Sequence, residues 1–253
     1  MTGLAVTHED RVTRLTLDRP DRRNALSLAL MRELIDAVGR VPPESAVVVV
    51  DANGPVFSAG HDLSEMVGRE PAFYDELFAV CSELMLALHA VPQPVIAKVH
   101  GAATAAGCQL VAACDLAVAS EEAWFATPGV KIGLFCTTPM VPLTRVIGRR
   151  RALQMLFTGE RVDAHTALEW GLVNDVVPPG TLDTATGALV GLILRSSPRV
   201  VGLGKRAFYD QIDADEHTAY GRACEVMAAN AADADAQEGI GAFLDKREPH
   251  WER

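Results

Sequence analysis

With 253 residues, 49% of them hydrophobic, and a formal net charge of −10, the chain can bury a sizeable core but carries no basic stripe for a nucleic-acid surface. Apolar runs such as Val47–Val50 are far shorter than the roughly 20 residues that cross a bilayer, so no membrane span is expected. Five cysteines without CxxC or Cys/His ligand spacing indicate packed thiols in a reducing compartment, with no disulfide framework and no metal site.

The opening stretch, MTGLAVTHEDRVTRLTLD, has acidic residues where a leader would be basic, and no targeting segment is read in it. A cytoplasmic location is the resulting expectation. Residues 11–18 alternate with period two as a half-buried strand does, and Arg19-Pro20-Asp21 breaks them into a loop. Ser27 can cap the helix that follows, in which Met31, Leu34, Ile35 and Val38 share a face. Residues 46–51 (AVVVVD) form an apolar run bounded by Pro42-Pro43 and Asn53-Gly54-Pro55, the pattern of a strand buried on both faces.

That strand opens into a loop, FSAGHDL (57–63). Leu77, Val80, Cys81, Leu84 and Leu88 mark the next amphipathic helix, which the prolines at 92 and 94 stop before a short strand at 95–99. A second loop of small residues, HGAATAAG (100–107), runs into a segment of helical composition at 108–114, and a strand at 115–119 follows. Strand, helix and strand thus repeat, with small residues at strand ends, which indicates an α/β fold with its site in those loops. From about Leu182 onward the chain reads almost wholly as helix.

A helix beginning near Thr104 or Ala105 aims its first, unpaired N–H groups at whatever lies in front of it. A further N–H from the FSAGHDL loop would complete a pair of donors around an oxygen that becomes negative during a reaction. Close helix–strand packing explains the same small residues without any ligand.

Six ordered segments resemble the crotonase (enoyl-CoA hydratase/isomerase) family: DRPDRRNALS (18–27), FSAGHDL (57–63), HGAATAAGCQLVAACDLAVAS (100–120), FATPGVKIGL (125–134), LFTGERVDAHTALEWGLVNDVV (156–177) and QEGIGAFLDKR (237–247). Within it the wording GHDL, ATAAGCQL, FATPG and GLFC is most similar to the branch of enoyl-CoA hydratase domain-containing protein 3. The resemblance implies a spiral of ββα units in two roughly perpendicular sheets over residues 1–195. A helical region at 196–253 would serve trimer formation, as a homotrimer or a dimer of trimers. It implies no prosthetic group. Coenzyme A enters as part of an acyl-CoA thioester substrate.

Carried over by position, the family's oxyanion-hole donors fall on the backbone N–H groups of His61 and Ala106. Arg23, Asn24, Ala25 and Leu26 match the segment lying along pantetheine, and Ala59, Asp62 and Leu63 match the adenine-side loop. Lys205 falls near phosphate, while Phe243 and Lys246 reach CoA from the C-terminal helices, often those of a neighbouring subunit. Arg22, Arg23, Lys205 and Lys246 would together supply an acidic protein with the local positive charge that a multiply anionic ligand requires.

The match fails at the acids. Hydration of an enoyl thioester needs one group to take a proton from water and another to deliver one at the α carbon, which family hydratases manage with two glutamates. Their positions here hold Gln109 and Gly129, neither of which exchanges protons near neutral pH. Acids used by other branches would fall at Cys136 and Thr137, and Cys136 is a candidate nucleophile only if its thiolate is stabilised. Two readings follow: an acyl-CoA enzyme working through the oxyanion hole without ordinary hydratase activity, or a non-catalytic acyl-CoA-binding or assembly protein.

Overall fold

The structure, a computed structural model, describes residues 3–251. An antiparallel hairpin opens it, β1 (Leu4–Glu9) with β2 (Val12–Leu17), followed by α1 (Leu28–Gly39). Three turns of a spiral come next, each giving one strand to a large sheet, a short strand to a small sheet and then a helix. They are β3 (Val47–Ala52), β4 (Val56–Ser58) and α2 (Pro71–Ala90); β5 (Val95–Val99), β6 (Ala102–Thr104) and α3 (Ala106–Ala113); and β7 (Leu116–Ser120), β8 (Trp124–Ala126) and α4 (Thr137–Val146).

After α5 (Arg149–Thr158), strand β9 (Val162–Asp163) joins the small sheet, and β10 (Asp175–Val177) joins the large one beyond α6 (Ala164–Trp170). The large sheet runs β1-β2-β3-β5-β7-β10 and the small one β4-β6-β8-β9. Four helices end the described chain: α7 (Leu182–Leu194), α8 (Pro198–Gln211), α9 (Glu216–Ala231) and α10 (Ala234–Asp245). The expected spiral of ββα units is thus present.

The valines of β3 explain why the large sheet sits at the centre. Val48 and Val50 face the main core with Leu34, Leu84 and Leu88, whereas Val47 and Val49 face Ile96 and Val190 of α7. Complete burial of each such side chain is worth about 1.5–3 kcal/mol, so β3 is held from both faces. Helix α1 begins where Ser27 Oγ accepts the Leu30 N–H at 3.2 Å, the expected cap.

Strands β1, β4 and β6 differ from the sequence reading, the second because Phe57 and Ser58 of the expected FSAGHDL loop are strand residues. β1 is an edge strand with one buried residue, Leu4, so it lacks the alternation of burial by which a half-buried strand shows itself in sequence. The small-residue loop at 100–107 contains β6, whose three residues pair with β4 and β8. Strands of two or three residues are too short to show a period.

Candidate functional site

The two segments expected to hold a ligand are joined by backbone hydrogen bonds. Ala59 N–H donates to Arg23 O (3.0 Å), Leu26 N–H to Gly60 O (2.7 Å) and Asp62 N–H to Leu26 O (3.3 Å). Ser58 Oγ adds a bond to Asn24 O at 2.9 Å. The turn before them needs unusual backbone, because Arg23 and Asn24 both have positive φ, 52° and 50°. Asn24 stabilises it with its buried side chain, accepting from Arg19 N–H and donating to the carbonyls of Asn53 and Val56. The Asn24 side chain is therefore part of the scaffold, and Leu26 is a fully buried core residue.

Facing this pair is the start of α3. Ala105, at φ 50° and ψ −118°, turns the chain sharply between β6 and the helix, and its N–H donates to Ala126 O at 2.9 Å. Gly60 lets the two loops meet: a Cβ there would lie 2.8 Å from Ala105 Cβ and 3.2 Å from Ala106 N. Gly107 does the same for α3 and β4, where a Cβ would lie 2.7 Å from Ser58 Cβ. The His61 and Ala106 N–H groups thus belong to adjoining backbone segments, and neither has a protein acceptor among the described residues. A pair of free donors beside a helix N-terminus is suited to an oxygen gaining negative charge.

The side chains of these two segments converge on α2. The His61 ring meets Phe78 edge-on, with centroids 5.5 Å apart, and neither of its solvent-shielded nitrogens makes a hydrogen bond of normal geometry. Burial holds its pKa below the ordinary histidine value, and the Leu26 backbone only partly opposes this. Gln109, one turn into α3, is buried and accepts the Cys81 thiol on Oε1 at 3.7 Å. Burial pushes that thiol up to about 12, against the opposing Gln109 contact, so it is not a nucleophile near neutral pH. The contacts of Phe78 and Cys81 with the site have no local sequence signal, since both sit in an ordinary amphipathic helix.

Gly129 is enclosed. A Cβ there would meet the Leu134 carbonyl oxygen well inside van der Waals contact and Cys136 Sγ at 2.8 Å. Leu134 N–H also donates to Gly129 O at 2.9 Å, closing the turn. Cys136 is buried, and that burial, partly opposed by the Gly129 backbone, raises its pKa. The candidate nucleophile is corrected accordingly: Cys136 packs against Gly129 as a protonated thiol.

Lys205 is a second correction. Its ammonium is buried at the junction of α8 with the core, 2.6 Å from Asp115 Oδ2, and donates to Leu88 O (2.7 Å) and Gln93 O (2.9 Å). Tyr209 Oη bonds the other Asp115 oxygen at 2.7 Å. All three ammonium donors are used internally, so Lys205 is an anchor for α8 and has none left for a phosphate. Its pKa is lowered by burial, with Asp115 opposing.

Arg22, Arg23, Ala59 and Leu63 are exposed, while Asp62 pairs with Arg19 at 3.6 Å and caps a short turn through Ser64. Phe243 and Lys246, at the end of α10, are exposed to solvent. Among the described residues no cluster of metal-ligating side chains occurs, and no helix is long and apolar enough to cross a membrane.

Three ββα turns feeding one large and one small sheet, with helices after them, define a spiral α/β class of protein. Residues 7–253 match the family model described as enoyl-CoA hydratase/isomerase, and the chain belongs to that family. It is 48% identical over 248 residues to the enoyl-CoA hydratase domain-containing protein 3, mitochondrial, of Mus musculus, covering 96% of this chain and 82% of that protein. Among solved structures, an enoyl-CoA hydratase of Mycobacterium smegmatis matches with a TM-score of 0.97 at 47% identity, covering 99% of both chains. The human enoyl-CoA hydratase domain-containing protein 3 matches with a TM-score of 0.96 at 45% identity, covering 98% of this chain and all of that one. The crotonase membership and the likeness to this branch therefore stand. The expected cytoplasmic location does not, because the vertebrate relatives that match at 45–48% identity are named as mitochondrial proteins.

Proposed function

We propose that this protein binds acyl-CoA thioesters and stabilises an enolate through the backbone N–H groups of His61 and Ala106, without acting as an ordinary hydratase. The observation that carries this reading is the pair of unbonded donors brought together at Gly60. Arg23–Leu26 and Ala59–Leu63 form the adjoining wall on which the CoA portion would lie, and the exposed Arg22 and Arg23 supply positive charge there. Hydration is set aside because Gln109 and Gly129 stand at the positions of the family's two acids.

Titration calorimetry with CoA and short acyl-CoAs, beside a crotonyl-CoA hydration assay, tests both halves. Acyl-CoA binding with hydration about 10²–10⁴-fold below a two-glutamate family hydratase is expected. Failure to bind, or robust formation of 3-hydroxyacyl-CoA, would end the reading. A non-catalytic acyl-CoA-binding role is favoured by one observation, the occupation of the Gly129 side by Leu134 and Cys136.

Exposed Tyr220, Met227, Phe243 and Leu244 on α9 and α10 suit a further expectation, assembly as a trimer or dimer of trimers with Phe243 and Lys246 reaching a neighbouring subunit. The coenzyme is substrate in this account, and the chain needs no prosthetic group for it.

A further inference from the structure

His61 contributes more than its backbone. Its N–H is one of the two donors, so covalent connection alone keeps its imidazole within one side-chain length of a thioester oxygen bound there. Gln109 reaches the same region from the other donor segment: it lies three residues after Ala106, and helical side chains lean toward the helix N-terminus. The two meet successive positions of one α2 face, His61 on Phe78 and Gln109 on Cys81.

Both ring nitrogens are shielded from solvent, and neither makes a hydrogen bond of normal geometry, the Leu26 backbone being the polar group that acts on the ring. A neutral imidazole keeps one ring nitrogen lone pair, and with no well-placed protein donor to occupy it that lone pair is available to a proton. The ionisable groups of the adjoining segments are otherwise occupied or inert. Asp62 faces Arg19 and Ser64, Glu65 accepts the Leu28 N–H, and the Cys81 and Cys136 thiols are held protonated by burial.

We propose that the His61 imidazole is the proton-transferring group of this site, removing and returning the hydrogen on the carbon α to the thioester carbonyl of a bound acyl-CoA. The inference rests on the thioester reading above. A ring nitrogen lone pair takes the α proton, and the C–H electron pair becomes the enolate C=C bond. The carbonyl π pair moves to the thioester oxygen, whose charge the His61 and Ala106 N–H groups accept. The imidazolium then returns a proton to carbon, either the original one or one exchanged with solvent. Nothing is consumed, so a saturated acyl-CoA suffices as probe. The depressed pKa keeps the ring neutral, as a base must be, at neutral pH.

The backbone donor survives substitution of the side chain, so its role separates from that of the imidazole. The full-length protein is incubated with butyryl-CoA in D₂O and α-deuterium is followed by mass spectrometry, for the native chain, His61→Gln and His61→Ala, with butyryl-CoA affinity measured in parallel. Native exchange is expected, slowed about 10²-fold or more in both variants while affinity stays within a few-fold. In the native protein the rate should rise with pH to a plateau, through an inflection below the ordinary histidine value of about 6.5. This last measurement needs no variant to fold. Butyryl-CoA binding without exchange, variants that exchange at the native rate, or a native profile without that inflection would overturn the His61 role and leave the oxyanion reading intact. Absence of butyryl-CoA binding would remove both.

Discussion

Gln109 and Gly129, the residues proposed to stand at the family's two acid positions, are treated in opposite ways by the structure. At Gln109 a side chain close in shape to glutamate remains, so volume is kept and only proton chemistry is lost. At Gly129 the volume itself is taken, by the Leu134 carbonyl and the Cys136 thiol. The first change is reversible by one substitution and the second is not. Lysine offers the same contrast, with Lys205 enclosed by Asp115, Leu88 and Gln93 and Lys246 left in solvent at the end of α10.

The contrast is broken most severely by Gly129→Glu. A side chain there must displace the 133–136 turn, and about 3 kcal/mol of destabilisation is expected, read as a lower denaturant midpoint. A normally stable variant would show that the turn yields and that Gly129 is open after all. Lys205→Ala should cost a similar or slightly smaller amount, about 3 kcal/mol, because Asp115 keeps its charge in a largely buried place with only Tyr209 and the Val95 N–H as partners. Loss of CoA affinity without loss of stability in this variant would instead restore Lys205 as a phosphate ligand.

Acid should act more gently. His61 and His89 both have pKa values lowered chiefly by burial. Above about pH 6.5 they are neutral whether the chain is folded or not; below it the unfolded chain binds protons first, so stability falls as pH drops until the folded-state values are reached. Chemical denaturation at about pH 5 and about pH 7.5 measures the difference, and equal midpoints, once carboxylate titration is allowed for, would contradict the burial of these rings.

Gln109→Glu should leave the fold in place and raise the new carboxyl's pKa by burial. Its crotonyl-CoA hydration is expected to rise by less than about tenfold, since the second acid is still missing and such groups act together. Smallest of all, Lys246→Glu at an exposed helix end should change stability by no more than about 0.5 kcal/mol in the same denaturation assay.

Much of this was legible in the chain before any coordinates. Ser27, the β3 valines and the helix beginning just after Ala105 follow from capping, apolar runs and small-residue loops. Resemblance assigned residues 23–26 and 59–63 to one ligand, but their backbone pairing is contained in no local rule and appears only in the structure. What stayed hidden depends on partners distant in sequence. The basic side chain of Lys205 reads as surface until Asp115, 90 positions earlier, is placed beside it. Likewise the enclosure of Gly129 depends on how the 133–136 turn folds back, and the direction of the His61 ring depends on Phe78.

The order of the large sheet, β1-β2-β3-β5-β7-β10, is also the order in which those strands leave the ribosome. No strand must be inserted between two already paired, so the sheet can grow at one edge as the chain is made, as domains do when they fold during synthesis. The Ala105–Ala126 bond that sets the start of α3 needs only the first half of the chain, whereas Asp115 waits for Lys205. A nascent protein would thus shape its donor pair early and carry one uncompensated carboxylate until α8 emerges, a window in which a stalled or truncated product is most exposed to proteases and chaperones.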